Sequence, residues 1–445
     1  MMLTLRLGNW FPYGGVPLCV KRAGMPSLLR SAAALLVAMV CAGGVAAQAP
    51  RRITLDEALQ LALQHNHALQ AARTLVLQSQ AQEITANLRP NPVALGDAQF
   101  LPIFQPSQFS ETYIDQSAQF DLGLSYLFER GRKRQHRLEA AKDQTTVTEW
   151  QTKDAERTLL LNVGQQFINV LLAQSTIELA EKDLASFQNS VDISEARYKA
   201  GDISEADFLK IKLQLLQFQR DLSGAKLAKV QALVSLQQLV GHESVPQDYD
   251  VAGELEYLAV PNTKESLEMM ALNQRPDLQA AVRGVTAANS QYTLALANGK
   301  RDVTGTFNYT HIAGLNTGSF FANMELPIFN RNQGEIARTH AAITQAQETQ
   351  KEAQEQVLTD VADAYGALKA NEQIVQLYRG GYLKEAQDSR DISQYAYQRG
   401  AASLLDYLDA ERSYRATELD YRQTLASYMF ALEQLRAAAG TRSLP

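Results

Sequence analysis

Residues 132–198 contain no proline and one glycine, Gly164. Within them Leu160, Val163, Phe167, Val170, Ile177 and Leu184 recur at steps built from threes and fours, with Gln174 and Glu181 as polar interruptions. That 3.5-residue period is what helices need to pack as coiled coils. At 1.5 Å per residue an unbroken helix of this extent is about 100 Å long, whereas globular helices average roughly 11–12 residues. After a turn at Gly201, Leu209, Leu213, Leu216, Leu227, Val230 and Val234 keep the same period, with Arg220 and Ser223 interrupting and Gln237 ending the seam. The spacing predicts a second long helix running back against the first. Residues 332–397 are again free of proline, and Gly334, Gly366, Gly380 and Gly381 are points where that helix is expected to bend. A shorter helix precedes each hairpin, over 55–88 and over 263–298, the latter broken near Arg275-Pro276.

Between the shorter helix and the hairpin the period changes to two. Phe120, Leu122, Leu124, Tyr126 and Phe128 alternate with Gln119, Asp121, Gly123, Ser125 and Leu127. In the second half Thr304, Thr306, Asn308 and Thr310 alternate with Val303, Gly305, Phe307 and Tyr309, and Phe320, Ala322, Met324 and Leu326 with Ser319, Phe321, Asn323 and Glu325. Period two makes strands with one apolar and one polar face. A membrane barrel needs an apolar exterior, a polar lumen and aromatic girdles; the same alternation also serves a soluble sheet laid on the helices. On the barrel reading Phe120, Leu122, Leu124, Tyr126, Phe307, Tyr309, Phe320 and Met324 form the wall. Each half supplies about two strands. Four strands cannot close a barrel, and an open edge in lipid leaves backbone groups unpaired, so three chains are expected to contribute twelve.

The halves are one module written twice. Residues 69–72 and 278–281 both read LQAA; Phe128-Glu-Arg is echoed by Phe329-Asn-Arg; Tyr198, Gly201 and Asp207 are echoed by Tyr397, Gly400 and Asp406. The expected division is a signal segment over 1–47, a first repeat over 48–250, a linker over 251–270, a second repeat over 271–440 and a tail over 441–445.

Composition narrows the class. Residues 1–47 hold four basic residues, no acid, a short apolar run over 31–40 and small residues ending at Ala47, the pattern of a cleaved secretory signal. Met25 offers a start of more ordinary signal length, and Cys41 raises lipidation as an alternative. Removing this segment takes the net charge from -6 to -10 and leaves no cysteine, which suits an oxidising envelope. Elsewhere no stretch of 18 apolar residues appears, so membrane helices are not expected. An acidic balance argues against a nucleic-acid partner.

Several phrases carry a resemblance over about residues 53–440: Ile53-Thr-Leu-Asp-Glu-Ala-Leu59, Leu88-Arg-Pro-Asn-Pro92, Asn273-Gln-Arg-Pro-Asp-Leu278 and, most pointedly, Leu326-Pro-Ile-Phe-Asn-Arg-Asn-Gln-Gly334. The chain resembles the TolC-like outer-membrane efflux channels, and within them the CzcC-type heavy-metal branch. The resemblance implies a mainly α fold with a β-barrel contribution: a homotrimer with a twelve-stranded barrel in the outer membrane and a helical barrel in the periplasm. It implies a periplasmic adaptor and an inner-membrane RND-type pump as partners, with divalent cations as cargo. It places a gate at Asp406 and Asp409, with Asp207 and Tyr397 nearby. Gly201, Gly400, Tyr198 and Arg399 fall in the tip turns that dock the adaptor. Threefold symmetry would make each aspartate a ring that favours cations; as helix-start carboxylates the same residues also suit the helix dipole. Relatives carry a bracing arginine where this chain has Ala402, which leaves Arg399 as the substitute.

No phosphate-binding loop, nucleophile elbow or zinc-protease helix motif occurs in the mature chain. His65 and His67 lie two apart, so on one helix they would diverge. No enzyme, cofactor or resident metal is expected. The alternative to a channel is a periplasmic coiled-coil adaptor or scaffold without a barrel.

Overall fold

The computed structural model describes residues 51–444. The expected signal segment over 1–47, with Met25 and Cys41, lies outside the described residues, as does Pro445.

The first half opens with strand β1 (Arg52–Ile53) and helices α1 (Leu55–His65) and α2 (His67–Asn87). Thr54 starts α1 by a reciprocal cap: its side chain accepts from the Glu57 N–H, and the Glu57 carboxylate accepts from the Thr54 N–H at 2.8 Å. The single helix expected over 55–88 is therefore two. Asn66 leaves the helical conformation, accepts from the Leu69 N–H at 3.0 Å and donates to the Leu239 carbonyl at 2.9 Å. His65 and His67 thus sit on different helices. Strand β2 (Val93–Gln99), the short helix α3 (Glu111–Gln116) and strand β3 (Gln119–Phe128) come next. Then α4 (Lys133–Ala200) runs for 68 residues and α5 (Glu205–Val240) returns for 36.

A two-residue strand, β4 (Asp250–Val251), pairs in parallel with β1 and leads to the second half. There α6 (Lys264–Gln274) and α7 (Pro276–Asn298) break at Arg275, one residue before the proline, as expected. Thr263 caps α6, so the second module's first helix begins inside the segment 251–270 expected as linker. Strands β5 (Val303–Ile312) and β6 (Leu315–Met324) are followed by α8 (Gln333–Leu377), a π-turn over Tyr378–Tyr382, α9 (Leu383–Gln398) and α10 (Leu404–Ala439). Gly334 and Gly366 are absorbed into α8. The break falls only at Gly380-Gly381, where Gly381 takes φ 148°. The first half's long helix has no such break.

Both long outgoing helices start from the same device. The residue before each, Arg132 at φ 58° and Asn332 at φ 64°, is left-handed and turns the chain out of the sheet region. Two clusters form the upper cores: Val163, Phe167, Leu236 and Tyr249 in the first half, and Leu368, Val361, Tyr428 and Leu435 in the second. A third, of Phe187, Ile211, Phe218, Tyr397 and Tyr407, lies toward the turns.

The outgoing seam behaves as its period predicts, with Val163, Phe167 and Val170 buried. The return seam does not. Leu209, Leu213, Leu216, Leu227, Val230 and Val234 are all more than half exposed, and α5 instead faces α4 with Ile211, Phe218, Ala225 and Leu236. The heptad marks an apolar face that the described residues leave uncovered.

Candidate functional site

The four long strands form one antiparallel sheet in the order β2-β3-β5-β6. Its register sets Leu122 opposite Tyr309 and Leu124 opposite Phe307, which pairs in turn with Phe320. Phe120, Tyr126 and Met324 belong to the same face. This assembles all eight expected wall residues on one side. Leu122, Leu124, Phe307, Tyr309, Phe320 and Met324 are exposed there, Phe320 at 84%, so among the described residues that face is uncovered. The opposite side carries Val93, Leu95, Leu127 and Phe321 among a larger set of polar residues. Thr306 donates to Ser125 at 3.0 Å, Asn308 and Gln119 donate to Asp121 at 3.0 and 2.7 Å, and Thr310 also donates to Asp121. The β5–β6 hairpin closes on Ala313-Gly314, both at positive φ, the geometry of a tight two-residue turn. Strand β6 ends at Met324, so Leu326 lies beyond it, in the segment leading to α8. The outer edges of β2 and β6 have no strand partner among the described residues.

At the far end of the helices the chain reverses twice. Gly201 at φ 84° and Gly400 at φ 75° take the left-handed conformation that lets each helix stop sharply. Ser204 and Ser403 then cap the returning helices. Asp406 accepts from the Ser403 N–H at 3.1 Å and from its hydroxyl at 2.7 Å, closing a capping box. Asp207 accepts from the Ser204 hydroxyl at 2.9 Å and pairs with Lys210 at 3.3 Å. Asp409 is exposed and pairs with Arg412 at 3.2 Å. Asp406 and Asp207 therefore also start their helices, whereas Asp409 lies in the second turn of α10.

Tyr397 has a different setting. It is buried in the seam between the hairpins, where its ring stacks 5.5 Å from Tyr407. Tyr407 stacks on Phe187, and Phe187 on Phe218 at 4.5 Å. The column thus crosses from α9 and α10 to α4 and α5. Ser190 bonds the Tyr407 hydroxyl at 2.9 Å and receives Gln394 at 3.2 Å. Arg399 does not cross; its guanidinium lies over Tyr395 of its own helix. The crossing arginine is Arg197, which donates to the Tyr397 carbonyl at 2.9 Å. Tyr198 is on the outside and stacks on Phe208 at 5.2 Å.

One cluster was not foreseen. Arg415 of α10 donates to Asp183 of α4 at 3.2 Å and to Asp221 of α5 at 2.7 Å, with its guanidinium 4.1 Å from the Phe218 ring centroid. One turn earlier on α10, Glu411 is 4% exposed. Burial pushes Glu411 up to about 7, with Arg390 and Arg415 opposing and Asp183 reinforcing. Burial likewise raises Asp183 against the pull of Arg415, and pushes the Tyr407 hydroxyl up to about 12. The only sequence signal was a set of charges set among the long helices' apolar positions.

The profile of the family described as "Outer membrane efflux protein" matches residues 58–242 and 268–441. The chain is 28% identical over 334 residues to the cation efflux system protein CusC of Escherichia coli K12, covering 70% of each chain. It is 26% identical over 413 residues to the pyoverdine export outer membrane protein OpmQ of Pseudomonas aeruginosa (87% and 83% covered). To the cobalt-zinc-cadmium resistance protein CzcC of Cupriavidus metallidurans it is 25% identical over 381 residues (83% and 85% covered). The structure matches the open-state MtrE outer membrane channel of Neisseria gonorrhoeae with a TM-score of 0.73 at 20% identity, over 87% of this chain and 89% of that one. With a family match across both halves, the chain belongs to the outer membrane efflux protein family.

Proposed function

We propose that three copies of this chain form the outer-membrane conduit of a tripartite efflux system that exports divalent heavy-metal cations. The observation that carries the assembly is that both flanks of the chain are unfinished in matching ways. In the helical region α5 packs on α4, α4 on α10, and α10 on α9, leaving α5 and α9 at opposite margins. One margin shows the apolar row Leu209 to Val234. The other shows Ile374, Leu377, Tyr382, Ile392 and Tyr395 along α8, the π-turn and α9, all exposed. The first row keeps a 3.5-residue step and the second is interrupted once, at the π-turn, so the two can meet as apolar seams. The sheet has the same asymmetry, with β2 from the first half at one edge and β6 from the second at the other. Head-to-tail contact of unlike flanks closes into a ring when the rotation permits. Three chains of four strands give twelve, and no backbone edge then faces lipid.

Dimensions support the membrane reading. Ten-residue strands rising about 3.4 Å per residue and tilted by about 45° span roughly 24 Å, the height of an outer-membrane apolar band. A soluble scaffold has no use for a sheet with Phe320, Leu122 and Leu124 bare on one face. The aspartates at Asp406 and Asp409, tripled by symmetry, act as the cation-favouring gate, with Asp207 and Tyr397 alongside. The tip surface around Gly201, Gly400, Tyr198 and Arg399 receives a periplasmic adaptor coupled to an inner-membrane RND-type pump. The conduit has no catalytic centre of its own, and energy comes from that pump. Cation cargo rests on the similarity to CusC and CzcC. It is tested by deleting the gene and measuring growth inhibition across zinc, cobalt and cadmium salts, with a siderophore export assay beside it. Sensitivity to at least one metal, restored by the gene, is expected. Loss of siderophore export with unchanged metal tolerance would overturn the cargo and leave the conduit standing.

A further inference from the structure

The Arg415 cluster lies where the two hairpins meet, above the turns and apart from the tip aspartates. It joins three helices through one guanidinium, since Arg415 on α10 holds Asp183 on α4 and Asp221 on α5. Separating the hairpins must break both ion pairs. Parting exchanges those charge-assisted bonds for hydration, so the network chiefly fixes the register in which the hairpins dock.

Its charges do not balance. Four carboxylates converge there: Asp183 from α4, Asp221 from α5, Asp391 from α9 and Glu411 from α10. Two guanidiniums answer them directly, and a third, Arg422, pulls on Asp183 while paired with Glu418. Arg415 is shared by Asp183 and Asp221, while Arg390 pairs with Asp391 at 2.7 Å and stacks 4.3 Å from the Tyr414 ring centroid. The Arg390 Nε is buried without a hydrogen-bond partner. Among the described residues, no cation stands within ion-pair distance of Glu411 (its neighbours Tyr407 and Tyr414 are neutral phenols). A carboxylate so buried and unpaired is more stable with a proton than without one.

We propose that Arg415 and Glu411 form a proton-loaded brace between the hairpins, which holds the periplasmic entrance closed when Glu411 is protonated and loosens when it ionises. Packed together, the hairpins leave Glu411 only 4% exposed. Parted, they let water reach it, and its affinity for the proton falls. The closed state therefore binds one more proton than the open state, so acid favours closing and a rise in pH favours opening. The change is concentrated between the ordinary carboxylate range and neutrality. It has little further effect above the point where buried Glu411 itself ionises, at about 7. From pH 5 to pH 8 the open-to-closed ratio rises by roughly 10- to 70-fold for one such group per chain.

This inference rests on the conduit reading, and the test separates the two. The full-length trimer is purified in detergent and inserted into planar lipid bilayers, and open probability is recorded from pH 5 to pH 8. Discrete conductance steps report the conduit at any pH, and their absence would refute the conduit itself. The brace predicts a wild-type open probability that climbs with pH. It predicts a flat, low profile for Glu411→Gln, whose carboxamide cannot ionise. Asp409→Asn should keep the wild-type slope while altering conductance, because the tip aspartates are separate. A wild-type profile without slope, or a Glu411→Gln slope equal to wild type, overturns the proposal. If Glu411→Gln fails to assemble, infrared spectra of wild-type protein labelled with carbon-13 glutamate decide instead. A protonated glutamate band present at pH 6 and lost by pH 8.5 supports the brace, and no such band at pH 6 overturns it.

Discussion

Replacing Leu213 and Leu227 by alanine perturbs a surface that the isolated chain does not use. Leu213 is 70% exposed and Leu227 57%, so their removal opens no cavity in the protomer. In the proposed ring both face the neighbouring chain. Full burial of a leucine is worth about 1.5–3 kcal/mol. Covering the remaining exposed fraction of the two then stabilises each interface by about 2–4 kcal/mol, scaling that range. Three interfaces make the loss roughly 6–11 kcal/mol per trimer on the same scale, enough to shift a marginal assembly by several decades. The assay is native mass spectrometry of detergent-extracted protein across a dilution series, with circular dichroism on the same samples. The double variant should dissociate at protein concentrations where wild type stays trimeric, with unchanged helix content at high concentration. Equal dissociation of variant and wild type would refute the placement of α5 at the interface. Loss of helix in the undissociated protein would mean that the seam packs within the chain after all.

Other expectations follow from the same geometry. On the sheet, Leu122→Arg points a charge at lipid and should cost about 2–4 kcal/mol near mid-membrane; Thr306→Arg on the polar face should be better tolerated, as read by yield of folded protein in the outer membrane. A Cβ at Gly164 would stand 2.7 Å from the Glu433 carboxylate, so Gly164→Val should cost about 1–3 kcal/mol and lower the thermal midpoint. Ser403→Ala removes the cap of α10 and should destabilise the tip by about 1 kcal/mol, seen as faster amide exchange confined to that turn. Asp406→Ala combined with Asp409→Ala should reduce cation selectivity in bilayers, and unchanged selectivity would remove the gate role from both.

The long helices were legible because absence speaks plainly: no proline from 132 to 198, then Gly201. The strands were legible because Phe, Leu and Tyr alternate with Thr, Asn and Ser, and the pairing register then put the eight expected wall residues on one side, with Leu95, Leu127 and Phe321 on the other. Two features were misread for physical reasons. The heptad of α5 shows which face is apolar but not what covers it, and packing within the chain was taken by Phe218 and Ile211 instead. Asn66 looked like a polar position inside a helix, yet its amide was needed at the Leu239 carbonyl, and the backbone broke to supply it. The brace was hidden altogether. Asp183, Glu411 and Arg415 are distant in sequence, and only the meeting of the two hairpins turns ordinary surface-type residues into a buried network. The same meeting moved the crossing contact from Arg399 to Arg197, whose partner is a backbone carbonyl that no side-chain pattern announces.

Single-channel recording tests the central claim most directly. Protein extracted from the outer membrane, purified as an oligomer and added to one side of a lipid bilayer, should insert and produce uniform conductance steps carried preferentially by cations. A protein recovered as a monomer from the soluble periplasmic fraction, giving no steps in the bilayer, would contradict the account.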